Sequence, residues 1–419
     1  MKAIQFNATI PRYVLGTTLG KLFPSLLWSG LSCTYLADVP EPQLPGDEWA
    51  VINTHYGGIC GSDMGAIHLH ASPYFSPFLS FPFTFGHENY GSIAEIGRGV
   101  NDLRHRQRVV VEPLLWCTPR GFEDLCRYCA RGEINRCERQ TTGDVAPGLM
   151  IGNCRDTSGS WSEFFVAHHS QIYPLPEAIN DENALMIEPL AVGLHAVLQN
   201  MPADDEVVLI VGAGSIGLCL LAALRSLGSR SHVLVLARYP FQAQAARKLG
   251  ADEVILSNKD HDHYQELVSK TDASLLQPMI GKRVVVGGVD RTFECIGSDT
   301  SLDDALRLTR AGGRVVLVGV PGISKHVDWT AIFANELDVR ASFTYNHTEQ
   351  FGGRTWRTFD LALDLMQRGL VDLSWMVTHR FRLEDYAQAF SRNTARSQTI
   401  KSVFTFNHSD SRPNHSPSG

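Results

Sequence analysis

The sequence predicts a mixed α/β protein in which a doubly wound parallel-sheet domain is inserted between two pieces of a mostly-β domain. Residues 1 to about 200 read as short strands joined by loops rich in glycine and proline. Beyond residue 200, continuous apolar strands alternate with helices, which is typical of βαβ units and a parallel sheet. At 419 residues, the chain is also longer than a single hydrophobic core usually supports.

Individual segments support each domain. The N-terminal domain, 1–198, is expected to contain three strands and a broken helical stretch, at 1–6, 50–53, 108–111 and 181–200. The helix breaks at Glu188-Pro189, because proline is tolerated in the first turn of a new helix. The inserted domain, 199–338, is expected to alternate strand and helix, at 206–211, 215–227, 232–237, 241–249, 253–256, 301–309 and 314–320. The first domain resumes over 339–406 with a helix at 358–367 and a strand at 402–406, and the polar tail 407–419 is expected to be disordered.

The bulk composition argues against several kinds of partner. A net charge of -7 disfavours nucleic acid, since phosphate binding requires a basic footprint. The apolar stretch Leu15–Leu31 is interrupted by glycine, lysine and proline, so no membrane span is expected. No apolar targeting region follows the first strand. We therefore expect a cytoplasmic protein whose nine cysteines serve metal binding rather than disulfide formation.

Four cysteines fall within one short polar stretch in a lobe that covers 112–140: Cys117, Cys126, Cys129 and Cys137. Clustered thiolates satisfy a tetrahedral Zn(II) and leave no position for a substrate. Scattered core thiols and a disulfide pair are the alternatives, but Cys126 and Cys129 are too close in so polar a segment to be ordinary core residues. The spacing therefore predicts a closed, structural zinc site that holds this lobe together.

A second group of ligands has a different character. Cys60 lies in Gly-Ile-Cys-Gly-Ser-Asp, and His87-Glu88 follows further along the chain. Glu188 stands in an apolar frame, where an unpaired carboxylate would be unfavourable. A cysteine, a histidine and one or two carboxylates form a mixed donor set that suits a catalytic zinc with an open position. Each residue alone has an ordinary structural interpretation, so the prediction of a zinc site depends on the whole set. Asp63 is expected to orient His87.

A glycine fingerprint predicts a dinucleotide site. The segment Gly212-Ala-Gly214-Ser215-Ile216-Gly217 follows an apolar strand and opens a helix. The first glycine permits a tight turn, the second lets the backbone approach a pyrophosphate, and the third allows close packing of the helix. The helix N-terminus supplies free N–H groups for the phosphates. A glycine turn without a ligand is the alternative, which the strand–turn–helix context disfavours.

The residues after the second strand of this domain bear on which dinucleotide binds. An NAD enzyme places Asp or Glu there to accept a hydrogen bond from the ribose 2′-hydroxyl. Here Ala237 removes the carboxylate, and Arg238 offers a planar guanidinium to a 2′-phosphate. We therefore expect NADP, with NAD as the alternative. A surface arginine without a ligand is the structural interpretation of Arg238.

These motifs, in this order, resemble the medium-chain, zinc-dependent alcohol dehydrogenases, and the resemblance covers the chain to about residue 405. The segment Gly86–Val100 is similar to the zinc signature of that family, and Glu188-Pro-Leu is similar to its polyol, threonine and glucose dehydrogenase branch. The resemblance implies a GroES-like mostly-β catalytic domain with an inserted Rossmann domain. It also implies that Cys60, His87 and Glu88 hold the catalytic zinc, with Glu188 as a direct or water-mediated fourth ligand. A dimer or tetramer is the oligomer that it implies.

The chain departs from the family pattern at two places. The loop 118–125 lengthens the spacing between the first two cysteines of the quartet, which makes Cys117 its weakest predicted ligand. A histidine that often follows the motif serine is replaced by Met64-Gly65, so His68 or His70 would have to substitute in a proton relay.

The predicted reaction is hydride transfer between an alcohol, polyol or carbonyl substrate and NADP(H). Its expected catalytic residues are Ser62, Cys60, His87 and Glu88, and Ser62 is expected to hydrogen-bond the substrate oxygen and pass its proton outward. An NAD-linked polyol, sugar or threonine-type dehydrogenase is the main alternative. A non-catalytic redox sensor that binds zinc and NADP(H) is a further alternative, although a sensor does not require an open metal site.

The sequence does not identify the substrate. We expect the substrate pocket to be shaped by Ile67–Phe85, Trp161 and Tyr345. Five other histidines are interpreted as surface or packing residues, namely His55, His105, His168, His169 and His195.

Overall fold

The computed structural model describes residues 1–258, 260–395 and 398–406, so the tail 407–419 lies outside the described residues. Contacts between Cα atoms divide the chain into two units, one comprising Met1–Glu188 with the chain from Asp372 onward, and the other Pro189–Val371. Within the described part of the chain, no helix combines the length and the apolar character needed to cross a membrane.

The first unit begins with a mostly-β segment. Its strands are β1 (Lys2–Phe6), β2 (Thr34–Asp38), β3 (Trp49–Ile59), β4 (Phe83–Thr84), β5 (Asn89–Ile96), β6 (Arg108–Val111), β7 (Phe164–His168) and β8 (Ile172–Pro174). Its helices are α1 (Ile10–Leu19), α2 (Gly61–Ile67) and α3 (Asp181–Leu185), and α4 (Ile187–Leu198) then leads into the second unit. The predicted helical break is present, with Pro189 in the first turn of α4.

The second unit alternates strands and helices. Its strands are β9 (Val207–Val211), β10 (His232–Ala237), β11 (Glu253–Leu256), β12 (Ser274–Leu276), β13 (Val284–Val286), β14 (Val289–Glu294), β15 (Thr309–Leu317), β16 (Asp338–Ala341), β17 (Glu349–Phe351) and β18 (Arg354–Trp356). Its further helices are α5 (Ser215–Ser226), α6 (Pro240–Lys248), α7 (His263–Lys270), α8 (Asp299–Leu308), α9 (Thr330–Ala334) and α10 (Thr358–Gln367). Parallel pairing joins six of the strands into one sheet, in the order β11-β10-β9-β14-β15-β16.

The chain then returns to the first unit with β19 (Val377–Arg382), α11 (Tyr386–Ala395) and β20 (Lys401–Thr405). These strands join the large sheet of that unit, whose order is β19-β20-β3-β5-β6-β8, with β7 also paired to β3. A smaller sheet has the order β2-β1-β4. The predicted fold class, a mostly-β domain with an inserted doubly wound parallel sheet, is confirmed.

Both expected domain boundaries, after 198 and after 338, fall inside the second unit, which is longer at each end than the predicted insertion. Buried hydrogen bonds account for part of this difference. The carboxylate of Glu349 lies 2.6 Å from Nδ1 of His195 and accepts from Gln199 at 3.0 Å. These bonds tie the segment around Glu349 to the end of α4, and both belong to the second unit.

Candidate metal and nucleotide sites

Cys60, His87 and Glu88 come together at one end of a strand pair. Cys60 directly follows β3, and His87-Glu88 directly precedes β5, with Gly57 opposite Asn89 in the antiparallel register. One donor atom from each of the three side chains lies within 4.8 Å of the others. The sheet therefore fixes the separation of two motifs that lie apart in sequence. A thiol, an imidazole and a carboxylate at this spacing form a donor set that fits zinc.

Asp63 orients two members of this set. Its Oδ1 lies 3.3 Å from Nδ1 of His87, and its Oδ2 accepts a hydrogen bond from the backbone N–H of Cys60 at 3.0 Å. Because Asp63 engages Nδ1, the other ring nitrogen of His87 is the one available to a metal. Burial lowers the pKa of His87, but Asp63 and Cys60 more than offset this effect and hold the pKa well above its ordinary value.

Glu88 is paired with Lys401, a residue that the sequence motifs did not indicate. Nζ of Lys401 lies 2.6 Å from both carboxylate oxygens of Glu88 and 3.4 Å from the carbonyl oxygen of Ile59. The two side chains are only 2% and 0% exposed. Lys401 is the first residue of β20, which pairs with β3 next to Cys60. The sheet thus positions the buried ammonium group of Lys401 against the carboxylate of Glu88.

Glu188 lies near the set without joining it fully. Its carboxylate is not within 4.8 Å of all three donor atoms, and its side chain is buried. Burial raises the pKa of Glu188 to about 7, with His87 opposing the rise and Glu88 adding to it. This placement fits the water-mediated version of its predicted role better than direct ligation.

Two glycines make room for the set. A Cβ at Gly58 would collide with the carboxylate of Glu88, and Gly86 has a φ of 103°, which side chains rarely adopt. Ser160 Oγ donates to the carbonyl oxygen of Glu88 at 2.8 Å, and the indole N–H of Trp161 donates to that of Gly58 at 2.8 Å. These bonds hold the backbone on both sides of the donor set.

Trp161 and Tyr345 do not shape a pocket, contrary to expectation. Both are 0% exposed. The Trp161 ring packs against Phe85 and Phe404, with centroid distances of 5.1 and 5.2 Å, and Tyr345 packs against Phe359 at 4.9 Å. The expectation is wrong because these rings are enclosed by other protein groups and have no surface to offer a substrate.

Ser62 lies in the first turn of α2, two residues after Cys60, and is exposed. The two candidate relay histidines lie just beyond the other end of α2. His68 Nε2 is 3.0 Å from Oγ1 of Thr394, and the ring of His70 stacks on that of His68 at 5.8 Å. The described contacts therefore place the histidines together and Ser62 at the opposite end of the helix.

The four cysteines of the predicted quartet also come together. Their sulfur atoms all lie within 4.8 Å of one another, and all four residues are buried. Sγ of Cys117 accepts from the N–H of Cys126 at 3.4 Å, and Sγ of Cys137 accepts from the N–H of Arg139 at 3.4 Å. Hydrogen bonding from Cys129 lowers the pKa of Cys137 to about 6, whereas burial raises the pKa of Cys117 to about 11. Four thiolates at this spacing fit a closed tetrahedral zinc.

The long loop 118–125 does not keep Cys117 from the quartet. Arg120, in that loop, is 0% exposed. Its guanidinium donates to backbone carbonyls on both sides of the lobe, those of Leu115, Thr142, Val145, Ala146 and Gly148. The inserted loop therefore folds back around its own arginine and leaves Cys117 among the other three thiols.

The glycine fingerprint has the geometry expected for a pyrophosphate. The six strands of its sheet, numbered along the chain, have the spatial order 3-2-1-4-5-6, which is the order of dinucleotide-binding sheets. Gly212 follows β9 with a φ of 104°, and a Cβ at Gly217 would collide with the carbonyl oxygen of Gly212. Gly214 caps α5, and no atom lies within 4 Å of its Cβ position. Open space therefore lies in front of the N-terminus of α5, where Ser215 and Ile216 begin the helix.

Arg238 lies where the second strand of this sheet ends. Ala237 closes β10 and is buried, whereas Arg238 is exposed. The guanidinium of Arg238 lies 5.6 Å from the centroid of the Tyr239 ring. An exposed guanidinium beside an aromatic ring, without an acidic residue at the strand end, is compatible with a 2′-phosphate.

Comparison with known proteins identifies the family of the chain. Residues 46–177 match the family model of the alcohol dehydrogenase GroES-like domain, and residues 215–367 match that of zinc-binding dehydrogenases. L-idonate 5-dehydrogenase of Vitis vinifera is 31% identical over 350 residues, which cover 83% of this chain and 85% of that protein. The chain belongs to the zinc-dependent medium-chain alcohol and polyol dehydrogenases. As a member of this family, it is an oxidoreductase that acts on CH–OH groups and uses zinc and a nicotinamide dinucleotide.

Other relatives fit this assignment. Human sorbitol dehydrogenase is 27% identical over 368 residues, covering 87% of this chain and 91% of that protein. A putative zinc-binding dehydrogenase from Sinorhizobium meliloti, solved bound to NADP, has a TM-score of 0.67 and 25% identity, covering 89% of this chain and 95% of that chain. Galactitol-1-phosphate dehydrogenase from Escherichia coli has a TM-score of 0.70 at 21% identity, covering 97% and 100%, and shows the same fold.

Proposed function

We propose that this dehydrogenase oxidises a polyol or related secondary alcohol with NADP, using a zinc ion held by Cys60, His87 and Glu88. The observation that carries the proposal is the convergence of these three donor atoms within 4.8 Å. Bound zinc supplies Lewis acidity that lowers the pKa of a substrate hydroxyl, and bound NADP supplies the hydride acceptor. The names of the idonate and sorbitol dehydrogenase relatives support a polyol as the substrate class.

In this proposal the residues of the protein orient the metal ligands and remove the proton of the substrate hydroxyl. Asp63 holds the ring of His87 in one orientation, and Lys401 holds the carboxylate of Glu88, so the donor set is preorganised before a substrate arrives. Ser62 hydrogen-bonds the substrate hydroxyl and carries its proton to solvent, which its exposed position on α2 supports. Glu188 contacts the donor set through water.

A second zinc ion, held by the Cys117, Cys126, Cys129 and Cys137 thiolates, is proposed to stabilise the lobe and to take no part in the reaction. Four thiolates leave no coordination position for a substrate.

The preference for NADP is supported by Ala237 and Arg238 together. An acidic side chain at the strand end would repel a 2′-phosphate, and none is present. The structure of the NADP-bound relative supports the same choice. An NAD-linked dehydrogenase is the alternative, and the ratio of kcat/KM for the two dinucleotides decides between them.

The decisive variant is Cys60→Ala, measured with a panel of polyols, simple alcohols and aldehydes. We expect loss of turnover and of one zinc per chain, with NADP binding retained, because the fingerprint lies in the other unit. Cys33→Ala is the matched control, since Cys33 is a buried thiol outside every candidate metal group. Full activity of Cys60→Ala would contradict the proposal. Wild-type protein that binds NADP(H) but turns over no member of the panel would favour the sensor instead.

We further propose a homo-oligomer in a reducing compartment, the cytoplasm. β16 ends the six-stranded sheet, and an edge strand can pair with a second copy. All nine cysteines are thiols, as expected where disulfides are reduced. Light scattering after size-exclusion chromatography tests the oligomer, and a single-chain mass would exclude it.

A further inference from the structure

A cluster of potential metal ligands lies at the start of β3, away from the sites described above. Glu48 immediately precedes this strand, His168 ends the neighbouring strand β7, and His169 follows it. Trp49 pairs with His168 in the antiparallel register, and the backbone N–H of His169 donates to the carbonyl oxygen of Glu48 at 2.8 Å. The sheet thus fixes the three residues next to one another.

The three side chains converge. One donor atom from each lies within 4.8 Å of the others. The carboxylate of Glu48 spans the two imidazoles, with Oε2 at 3.3 Å from Nε2 of His168 and Oε1 at 3.9 Å from Nε2 of His169. Donors bound to one tetrahedral zinc at the usual bond length are separated by about 3.4 Å. The separations in this cluster are therefore already close to those of a coordinated set.

The ring of His168 is fixed in position by its surroundings. Its ring is buried against Trp49, with a centroid distance of 5.6 Å, and its Nδ1 lies 2.8 Å from Oγ of Ser170. Nδ1 also accepts the backbone N–H of Ser170 at 3.2 Å, so in the metal-free protein Nε2 carries the ring proton and donates it to Glu48. Binding of an ion at Nε2 displaces this proton, and Oγ of Ser170 is placed to accept it from Nδ1. Burial and the neighbouring His169 lower the pKa of His168, which keeps the ring neutral, as ligation requires.

We propose that Glu48, His168 and His169 form an additional metal site that binds a divalent transition-metal ion such as zinc. Two imidazoles and one carboxylate are a donor set suited to zinc. Glu48 is exposed and His169 is half-buried, so solvent has access and water completes the coordination. The ion would link the start of β3 to the end of β7.

This site is independent of the catalytic zinc proposed above. Cys60 follows the last residue of β3 and Glu48 precedes the first, and an eleven-residue strand is about 35 Å long. An ion bound at Glu48 is therefore expected to act on stability and not on the reaction.

The test is the number of zinc ions bound per chain by the holoenzyme after equilibration with free Zn(II), measured by isothermal titration and elemental analysis. We expect His169→Gln and Glu48→Gln to bind one zinc fewer than wild type, with unchanged turnover. Ser170→Ala should weaken this binding event by roughly 10- to 100-fold, as loss of an orienting hydrogen bond to a ligating histidine does. His105→Gln is the matched control, because His105 is an exposed histidine outside the cluster.

A second readout is thermal unfolding. Added zinc should raise the Tm of wild type and of His105→Gln, but not that of His169→Gln, because an ion that binds only the folded state stabilises it. Equal zinc uptake by wild type, His169→Gln and Glu48→Gln would mean adventitious surface binding only and would overturn the proposal. A wild type that takes up no more zinc than His169→Gln would overturn it as well.

Discussion

Nζ of Lys401 lies 2.6 Å from both carboxylate oxygens of Glu88, in a place where neither side chain reaches solvent. Removal of one partner of such a pair leaves the other buried and uncompensated, which typically lowers the free energy of unfolding by about 3–5 kcal/mol. We expect a loss of this size for Lys401→Met, measured by urea denaturation of chelator-treated protein, because a zinc ion bound to Glu88 would itself compensate the carboxylate. The double variant Lys401→Met/Glu88→Gln should recover part of the loss, because it removes both charges of the pair.

The matched control is the pair Lys270–Glu253, whose side chains are 26% and 38% exposed and whose atoms are 2.8 Å apart. Lys270→Met should change the free energy of unfolding by less than about 1 kcal/mol, since surface ion pairs contribute little. A loss for Lys401→Met no larger than that for Lys270→Met would show that the buried carboxylate does not depend on its lysine.

Cys117 provides a test of the closed zinc site. We expect Cys117→Ser to lose one zinc per chain and to lower the Tm, because three thiolates hold the ion less well than four. Elemental analysis and thermal unfolding measure the two effects. Cys154→Ser is the control, as Cys154 is a buried thiol in the same part of the chain but not in the quartet. Retention of the full zinc content by Cys117→Ser would exclude Cys117 as a ligand.

Arg238 provides a test of dinucleotide choice. Arg238→Ala should raise the KM for NADP by roughly 10- to 100-fold, the equivalent of a charge-assisted hydrogen bond, and leave the KM for NAD nearly unchanged. Ala237→Asp should shift the preference towards NAD. Arg247→Ala, an exposed arginine on α6, is the control. Equal effects of Arg238→Ala on both dinucleotides would argue against 2′-phosphate recognition.

Asp304 is expected to contribute stability that depends on pH. Burial raises the pKa of Asp304, but hydrogen bonds from His263 and Lys282 outweigh this effect and hold the pKa below its usual value of 3.8. Because the folded-state pKa is depressed, the stabilisation is complete above pH 3.8 and is lost as the pH falls through the folded-state pKa. The difference in free energy of unfolding between wild type and Asp304→Asn should therefore be constant near neutral pH and shrink in acid.

Urea denaturation across the pH range measures this difference, with exposed Asp205→Asn as the control. A difference that stays constant into strong acid would mean that Asp304 is not held ionised by its neighbours.

The sequence predicted what depends on local patterns. Apolar runs and the glycine fingerprint located β9, α5 and β10 to within a residue or so, and the ligand motifs came together because they flank paired strands. Lys401 could not be predicted, since it is 313 residues from Glu88 in the chain and a lone lysine in a terminal strand has no signature. Helix α1 was also missed, because Pro11 and Gly16 interrupt its helical pattern.

Arg120 has a consequence for handling the protein. Its guanidinium donates to backbone carbonyls on both sides of the lobe without using any sulfur. The backbone around the four thiols is therefore held together when they bind no metal. A chelator should then produce an empty but ordered cavity that can be refilled. Such a lobe would permit exchange of the native ion for cobalt or cadmium as spectroscopic reporters, with no unfolding step.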